Sequence, residues 1–178
     1  MIGILNRMLM LVRHATPAFG PDIPPERWPL APAGLAAAES LRQALPPGAL
    51  LVSSEEPKAR QTLEPSGPVT TDSRFNEIAR DEPYDGDFRA RRLAYVTGTD
   101  HAGWEDRMAV AARFAAGITS WLAASGDRPL VIASHGMAMT VWLTAAVGLD
   151  DPGAFWSDLR LPDVFTVDVS GRRVARSA

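Results

Sequence analysis

Two of the chain's three histidines, His14 and His135, each close a short apolar run: Met8–Val12 in "MLMLVRHATP" and the run inside "RPLVIASHG". Each has a neighbour suited to an anion. Arg13 directly precedes His14, and Gly136 directly follows His135 at the head of the apolar stretch "MAMTVWLTAAVG". A histidine nitrogen can act as a nucleophile, a guanidinium offers a planar fork to phosphate or carboxylate oxygens, and the first turn of a helix presents free amides at the positive end of its dipole. Together these groups describe a place for an anionic group. The chain has no cysteine, so thiol nucleophiles, disulfides and cysteine zinc sites are excluded, and covalent chemistry falls to another residue.

Positioning such groups takes strands that end together. Short apolar runs bounded by turn signals read as buried strands, which makes strands of Met8–Val12, "GALLVSS" and "RPLVIASHG". Between them lie helical patterns. In "AGLAAAESLRQAL" the residues Leu35, Ala38, Leu41 and Leu45 recur at helical spacing, and "EPKARQTLEP" is a short helix with Pro57 in its first turn and Pro65 ending it. Residues from about Asp85 to Ser125 read as mostly helical, and "MAMTVWLTAAVG" is a helix closed by Gly148. The C-terminal "DVFTVDVSGRRVARS" alternates around Ser170-Gly171 and reads as a hairpin. Alternating strands and helices predict an α/β fold with a central, mainly parallel sheet covered on both faces. Parallel strands present their carboxyl ends along one edge, so Arg13-His14, Ser53-Ser54 and Ser134-His135-Gly136 are expected to converge there.

Composition narrows the partners. A chain of 178 residues that is 46% hydrophobic suits one domain over residues 1–178, with residues 1–7 read as an extension ahead of it. The net charge of −3 gives no global basic field, and the pairs Arg91–Arg92 and Arg172–Arg173 do not grow into a patch, so neither nucleic acid nor an anionic membrane is favoured. The N-terminus lacks a long apolar core with a small-residue cleavage site, and no apolar run reaches about 18 residues, so the expectation is a soluble, cytoplasmic protein. The histidines are dispersed and the acids of "DEPYDGD" read as a solvated loop, so no metal site is expected.

The segments "LVRHATP", "LLVSSEEPKARQT", "RFNEIARDE", "GWEDRMAVAARF" and "VIASHGMAM" occur in the order of the motifs of the histidine phosphatase superfamily, the phosphoglycerate-mutase-like proteins. The chain resembles that family from Leu9 to about Asp168. The resemblance implies a three-layer α/β/α sandwich and metal-independent phosphoryl transfer through a phosphohistidine, with no cofactor. It makes His14 the nucleophile, places Arg13, His135 and Gly136 on the phosphoryl oxygens, and makes Glu77 the acid that protonates the leaving oxygen and then the base that activates water. Glu82 is the alternative donor. Ser53 and Ser54 end a strand and support the site.

The family's second cation is commonly an arginine four residues after the second serine, a register that falls on Lys58 rather than on Arg60. Two residues along a helix turn through about 200°, so only one of the two can face the phosphate. Many relatives follow Arg-His with Gly, an acidic residue and Thr, where this chain has Ala15, Thr16 and Pro17, which removes contacts usual in the family. The chain is also shorter than typical mutases of the family. The expected activity is therefore a phosphomonoesterase acting on a small phosphorylated metabolite. A phosphoglycerate-type mutase and a protein phosphohistidine phosphatase are the enzymatic alternatives, and a non-catalytic phosphate-binding module is the alternative of another class. Loops Ala18–Leu30 and Arg80–Gly103 would set specificity.

Overall fold

The computed structural model of the protein describes residues 8–177, and the extension read at residues 1–7 lies outside them. Six strands form one sheet in the order β3-β2-β4-β1-β5-β6: β1 (Leu9–Arg13), β2 (Leu50–Ser53), β3 (Val69–Thr71), β4 (Leu130–Ser134), β5 (Asp163–Asp168) and β6 (Arg173–Arg176). The neighbouring pairs from β3 to β1 are parallel, while β5 runs antiparallel to β1 and β6 antiparallel to β5. The expected C-terminal hairpin thus exists and also extends the sheet. β3 was not foreseen: it is three residues long and none of them is buried, so it carries no apolar run to read.

The central strands read as continuous apolar runs because both of their faces are covered. Met10, Val12, Leu51, Val131 and Ala133 pack with Leu41, Ala59 and Leu63 of α1 (Pro32–Leu41) and α2 (Pro57–Leu63). Leu9, Leu11, Val52, Leu130 and Ile132 point the other way, into a larger core with α3 (Phe88–Val96), α4 (Arg107–Ser125) and α5 (Gly136–Val147). These are the three layers, helix, sheet and helix. A sixth helix, α6 (Pro152–Ser157), packs against α3 and α5.

One detail corrects the helical reading. In α1 the buried stripe runs through Gly34, Ala38 and Leu41, with Leu45 just beyond the helix, while Leu35 is 49% exposed. The cause is a close approach: a Cβ on Gly34 would lie 2.1 Å from the Thr16 carbonyl oxygen, so the helix meets the β1–α1 loop along its glycine. α4 is long and apolar enough by length and composition to cross a membrane. In this fold, however, its Val110, Phe114 and Ile118 are core residues and Phe114 stacks on Trp142 of α5 at 5.3 Å.

α5 has buried residues all round, as a helix enclosed between a sheet and other helices should. It ends at Gly148, whose φ of +75° suits glycine and whose amide bonds to the Leu143 and Thr144 carbonyls.

Candidate active site

The expected convergence occurs. β2, β4 and β1 are adjacent and parallel, and the residues just past their ends continue the pairing: Ser54 N–H donates to the Ala133 carbonyl (3.0 Å) and His14 N–H to the Ser134 carbonyl (3.1 Å). The two imidazoles therefore face each other, with ring centroids 5.1 Å apart and planes at 54°. Both are buried, His14 at 7% exposure and His135 at 1%.

The hydrogen bonds of His14 fix its chemistry. Its Nδ1 lies 2.7 Å from the Ala15 carbonyl oxygen, which can only accept, so Nδ1 carries the proton and Nε2 keeps a free lone pair. Burial, then the neighbouring His135 and Lys58, push the His14 pKa well below the ordinary histidine value. The ring is held neutral with its nucleophilic nitrogen available. His135 is likewise pushed well down, by burial first and by Lys58 next, and its Nε2 meets Ser54 Oγ at 2.7 Å.

Around this pair stand the cations. Arg13 sends Nη1 to the Leu159 carbonyl (3.0 Å), while its buried Nε has no partner. The guanidinium lies over the start of α5: a Cβ on Gly136 would come within 3.4 Å of Arg13 Nε and 3.2 Å of Trp156 Nε1, so the glycine is what lets both approach. Lys58 is 5% exposed and lines the cavity, its Nζ donating to the Pro25 carbonyl (2.7 Å) and to Glu56 Oε2 (2.5 Å). Arg60, two residues on, points away and pairs with Glu64 at the surface, its side chain 45% exposed. The register that selected Lys58 is the register of the helix.

Glu77 also lines the cavity, on the loop after the helical turn Ser73–Phe75. Its carboxylate accepts from the amides of Ala138 (2.8 Å), Met137 (3.2 Å) and Ile78 (3.1 Å). This corrects one expectation: the first turn of α5 does attract an anion, but the protein's own carboxylate takes the Met137 and Ala138 amides. The alternative donor, Glu82, accepts from Arg80 Nε (2.9 Å) and Arg92 Nη2 (2.7 Å). Burial disfavours its charge, but the bonds from Arg92 and Arg80 outweigh that and hold its carboxyl below the usual range.

Three contributors were not singled out in the sequence. Glu56, 7% exposed, joins Lys58 to the Glu77 amide (2.8 Å to Oε1) and sets Oε1 3.5 Å from His135 Nε2. The signal for it was Pro57, which opens α2 and makes Glu56 the residue before its first turn. Arg113 of α4 donates to the carbonyls of Arg74 (2.8 Å) and Asn76 (2.9 Å), which fixes the loop that carries Glu77. Trp156 of α6 brings its indole to the cavity from 142 residues beyond His14, and local sequence holds no sign of that.

This arrangement of two facing histidines, an arginine and a buried lysine at the carboxyl edge of a mixed sheet is accompanied by a family match. The sequence profile of the histidine phosphatase superfamily (branch 1) fits residues 9–174, and the chain belongs to that superfamily. As an enzyme it is a histidine phosphatase. Among curated proteins none matches the sequence.

Solved structures share the fold. A mycobacterial glucosyl-3-phosphoglycerate phosphatase, in complex with inorganic phosphate, aligns over 97% of this chain and 96% of its own with a TM-score of 0.71 and 22% identity. A phosphoserine phosphatase mutant from Entamoeba histolytica, in complex with phosphoserine, aligns over 97% and 95% with a TM-score of 0.68 and 14% identity. A protein from Thermus thermophilus aligns over 96% and 99% with a TM-score of 0.66 and 25% identity.

Proposed function

We propose that the protein is a metal-independent phosphomonoesterase that hydrolyses a small phosphorylated metabolite through a phosphohistidine on His14. The observation that carries this reading is the His14 ring: buried, neutral, with Nδ1–H tied to the Ala15 carbonyl and Nε2 open beside His135 and Arg13. His14 Nε2 attacks phosphorus, the ester P–O bond breaks, and the leaving oxygen takes a proton from Glu77. Water, deprotonated by Glu77, then attacks the phosphohistidine and releases inorganic phosphate. Arg13 Nε and Lys58 Nζ neutralise the phosphoryl oxygens, whose charge is spread through the transition state. To reach them the phosphate displaces Lys58 from Glu56.

The fold neighbours whose names state an activity act on phosphorylated small molecules, which supports the same class of substrate here. The facing histidines with Glu77 in the same cavity favour catalysis over simple phosphate binding. Nothing in the charge distribution points to nucleic acid or a membrane surface, and a cytoplasmic location is part of this proposal.

The test is release of inorganic phosphate from p-nitrophenyl phosphate in excess EDTA. Among the described residues no three His, Asp or Glu side chains gather as a metal site needs. Undiminished activity in the chelator is expected, and loss of activity restored by a divalent ion would overturn the metal-independent mechanism.

The second cation gives a further check. Lys58→Ala is expected to lower kcat/KM by roughly 10²-fold, the usual loss on removing one donor to a transition-state oxyanion. Lys58→Arg should remain active, and Arg60→Ala should stay within about twofold, as exposed ion pairs contribute little. Steady-state kinetics on the three variants decide it. A crippled Arg60→Ala would remove Lys58 from the phosphate.

A further inference from the structure

The cavity that contains His14 has a volume of about 450 Å³, far more than a phosphoryl group fills. The remainder of its wall says what else enters. Phe19 and Trp28 line it from the β1–α1 loop, and Met137, Trp156 and Leu161 line it from α5, α6 and the segment after α6. Phe19 stands edge-on to Trp28 at 5.3 Å and is 61% exposed, so an aromatic ring is left at the mouth with most of its surface uncovered. A large apolar side chain left open on a cavity rim is a place for an apolar ligand group.

The position of this wall relative to the phosphate is fixed. The loop is closed at its base by the Pro17–Leu30 bridge and the bond from Ala18 N–H to the Pro29 carbonyl (2.8 Å). At its far end the Pro25 carbonyl accepts from Lys58 Nζ (2.7 Å). The aromatic pair therefore hangs on the cation assigned to the phosphate. On the other side, Trp156 Nε1 meets the same Gly136 that lies under Arg13.

Charge argues against a second anionic group in that space. The rim cations Arg80 and Arg92 are committed to Glu82, and the rim also carries Glu26, which forms no ion pair among the described residues. An additional carboxylate or phosphate would meet Glu26 while competing with Glu82 for its partners.

From these observations we infer that the preferred substrates are phosphate monoesters whose alcohol bears an aromatic ring, which lies against Phe19 and Trp28 while the phosphoryl group sits at His14. This rests on the phosphomonoesterase reading and names the substrate class within it.

The experiment compares 3-phenylpropyl phosphate, propyl phosphate and 3-phosphoglycerate as substrates of the full chain. The first two release primary alkoxides of similar basicity, so their ratio reports on binding of the ring and not on the leaving group. The phenylpropyl ester is expected to have a kcat/KM about 10- to 100-fold above the propyl ester, the range that burying one apolar group supplies. Phe19→Ser, at an exposed position where substitution leaves folding largely intact, should cut that ratio several-fold.

Equal values for the two alkyl esters, or a preference for 3-phosphoglycerate, would overturn the inference and leave the phosphatase reading standing. A ratio unmoved by Phe19→Ser would equally overturn it. If neither these esters nor p-nitrophenyl phosphate is hydrolysed, the phosphatase reading fails and the inference falls with it.

Discussion

His14→Ala should abolish hydrolysis of phosphate monoesters, with kcat falling on the order of 10⁴-fold or more, the scale seen when a covalent nucleophile is removed. The expectation rests on geometry: among the cavity's side chains, His14 presents a neutral ring with one nitrogen tied to a carbonyl and the other open in the cavity that Arg13 and Lys58 also line. Brief incubation of the wild-type protein with radiolabelled substrate, quenched in alkali, should leave label on the protein that is stable in base and lost in acid, as an N–P bond requires. The variant should leave none. Full activity in His14→Ala, or label that survives acid and is lost in base, would replace the phosphohistidine with another intermediate.

The same ring predicts a pH dependence. Its pKa is lowered by burial, by His135 and by Lys58, so the neutral, nucleophilic form persists into mildly acid solution and the rate should not fall there through protonation of His14. For stability the sign is fixed too. A histidine whose folded pKa lies below the unfolded value of about 6.5 stabilises the fold above that value and loses the contribution as pH falls through the folded pKa. With His135 shifted the same way, thermal unfolding should move to lower temperature as the pH drops below about 6.5.

Strand ends were legible because central parallel strands are apolar on both faces, and each of β1, β2 and β4 stops at its first polar residues: Arg13, Ser53 and Ser134. That Lys58 and Arg60 point different ways was legible for a related reason, since helical angle separates residues two apart, but which of them turns into the cavity came from the family register and not from the angle. Glu56 was not. In "SSEEPKAR" two adjacent carboxylates precede a lysine, and which one turns inward depends on where α2 begins. Nor does local sequence show that the first turn of α5 is filled by Glu77 from 60 residues away, or that Arg113 of α4 holds the loop carrying Glu77. Both are contacts between elements distant in the chain, which periodicity within one element does not encode. Leu35 was misread because helical spacing identifies a stripe without saying which stripe, and the close approach of Gly34 to the Thr16 carbonyl decides it.

Glu77→Gln should divide substrates by their leaving groups. General acid catalysis contributes roughly 10²–10⁴-fold where the departing oxygen is strongly basic, and little where it leaves as a stabilised phenolate. In the first turnover the variant is therefore expected to lose about that factor on alkyl phosphates while p-nitrophenol release stays close to the wild-type rate. The second half-reaction behaves differently. If Glu77 also deprotonates the attacking water, the variant accumulates phosphohistidine, and p-nitrophenol appears as a burst of about one equivalent followed by a slow steady phase.

The substitution keeps the shape of the side chain, and an amide oxygen can still accept from Ala138 N–H, so its effect reports on proton transfer more than on the position of α5. Glu82→Gln is the control. Its carboxylate is held by Arg80 and Arg92, so changing it disturbs the loop and slows both kinds of ester alike, without separating them by leaving group. If Glu77→Gln slows alkyl and nitrophenyl esters equally in the first turnover, the proton comes from another group. If Glu82→Gln is the variant that separates them, the proton donor is the carboxylate between the arginines, and the bonds Glu77 makes to Met137 and Ala138 serve only to fasten the start of α5.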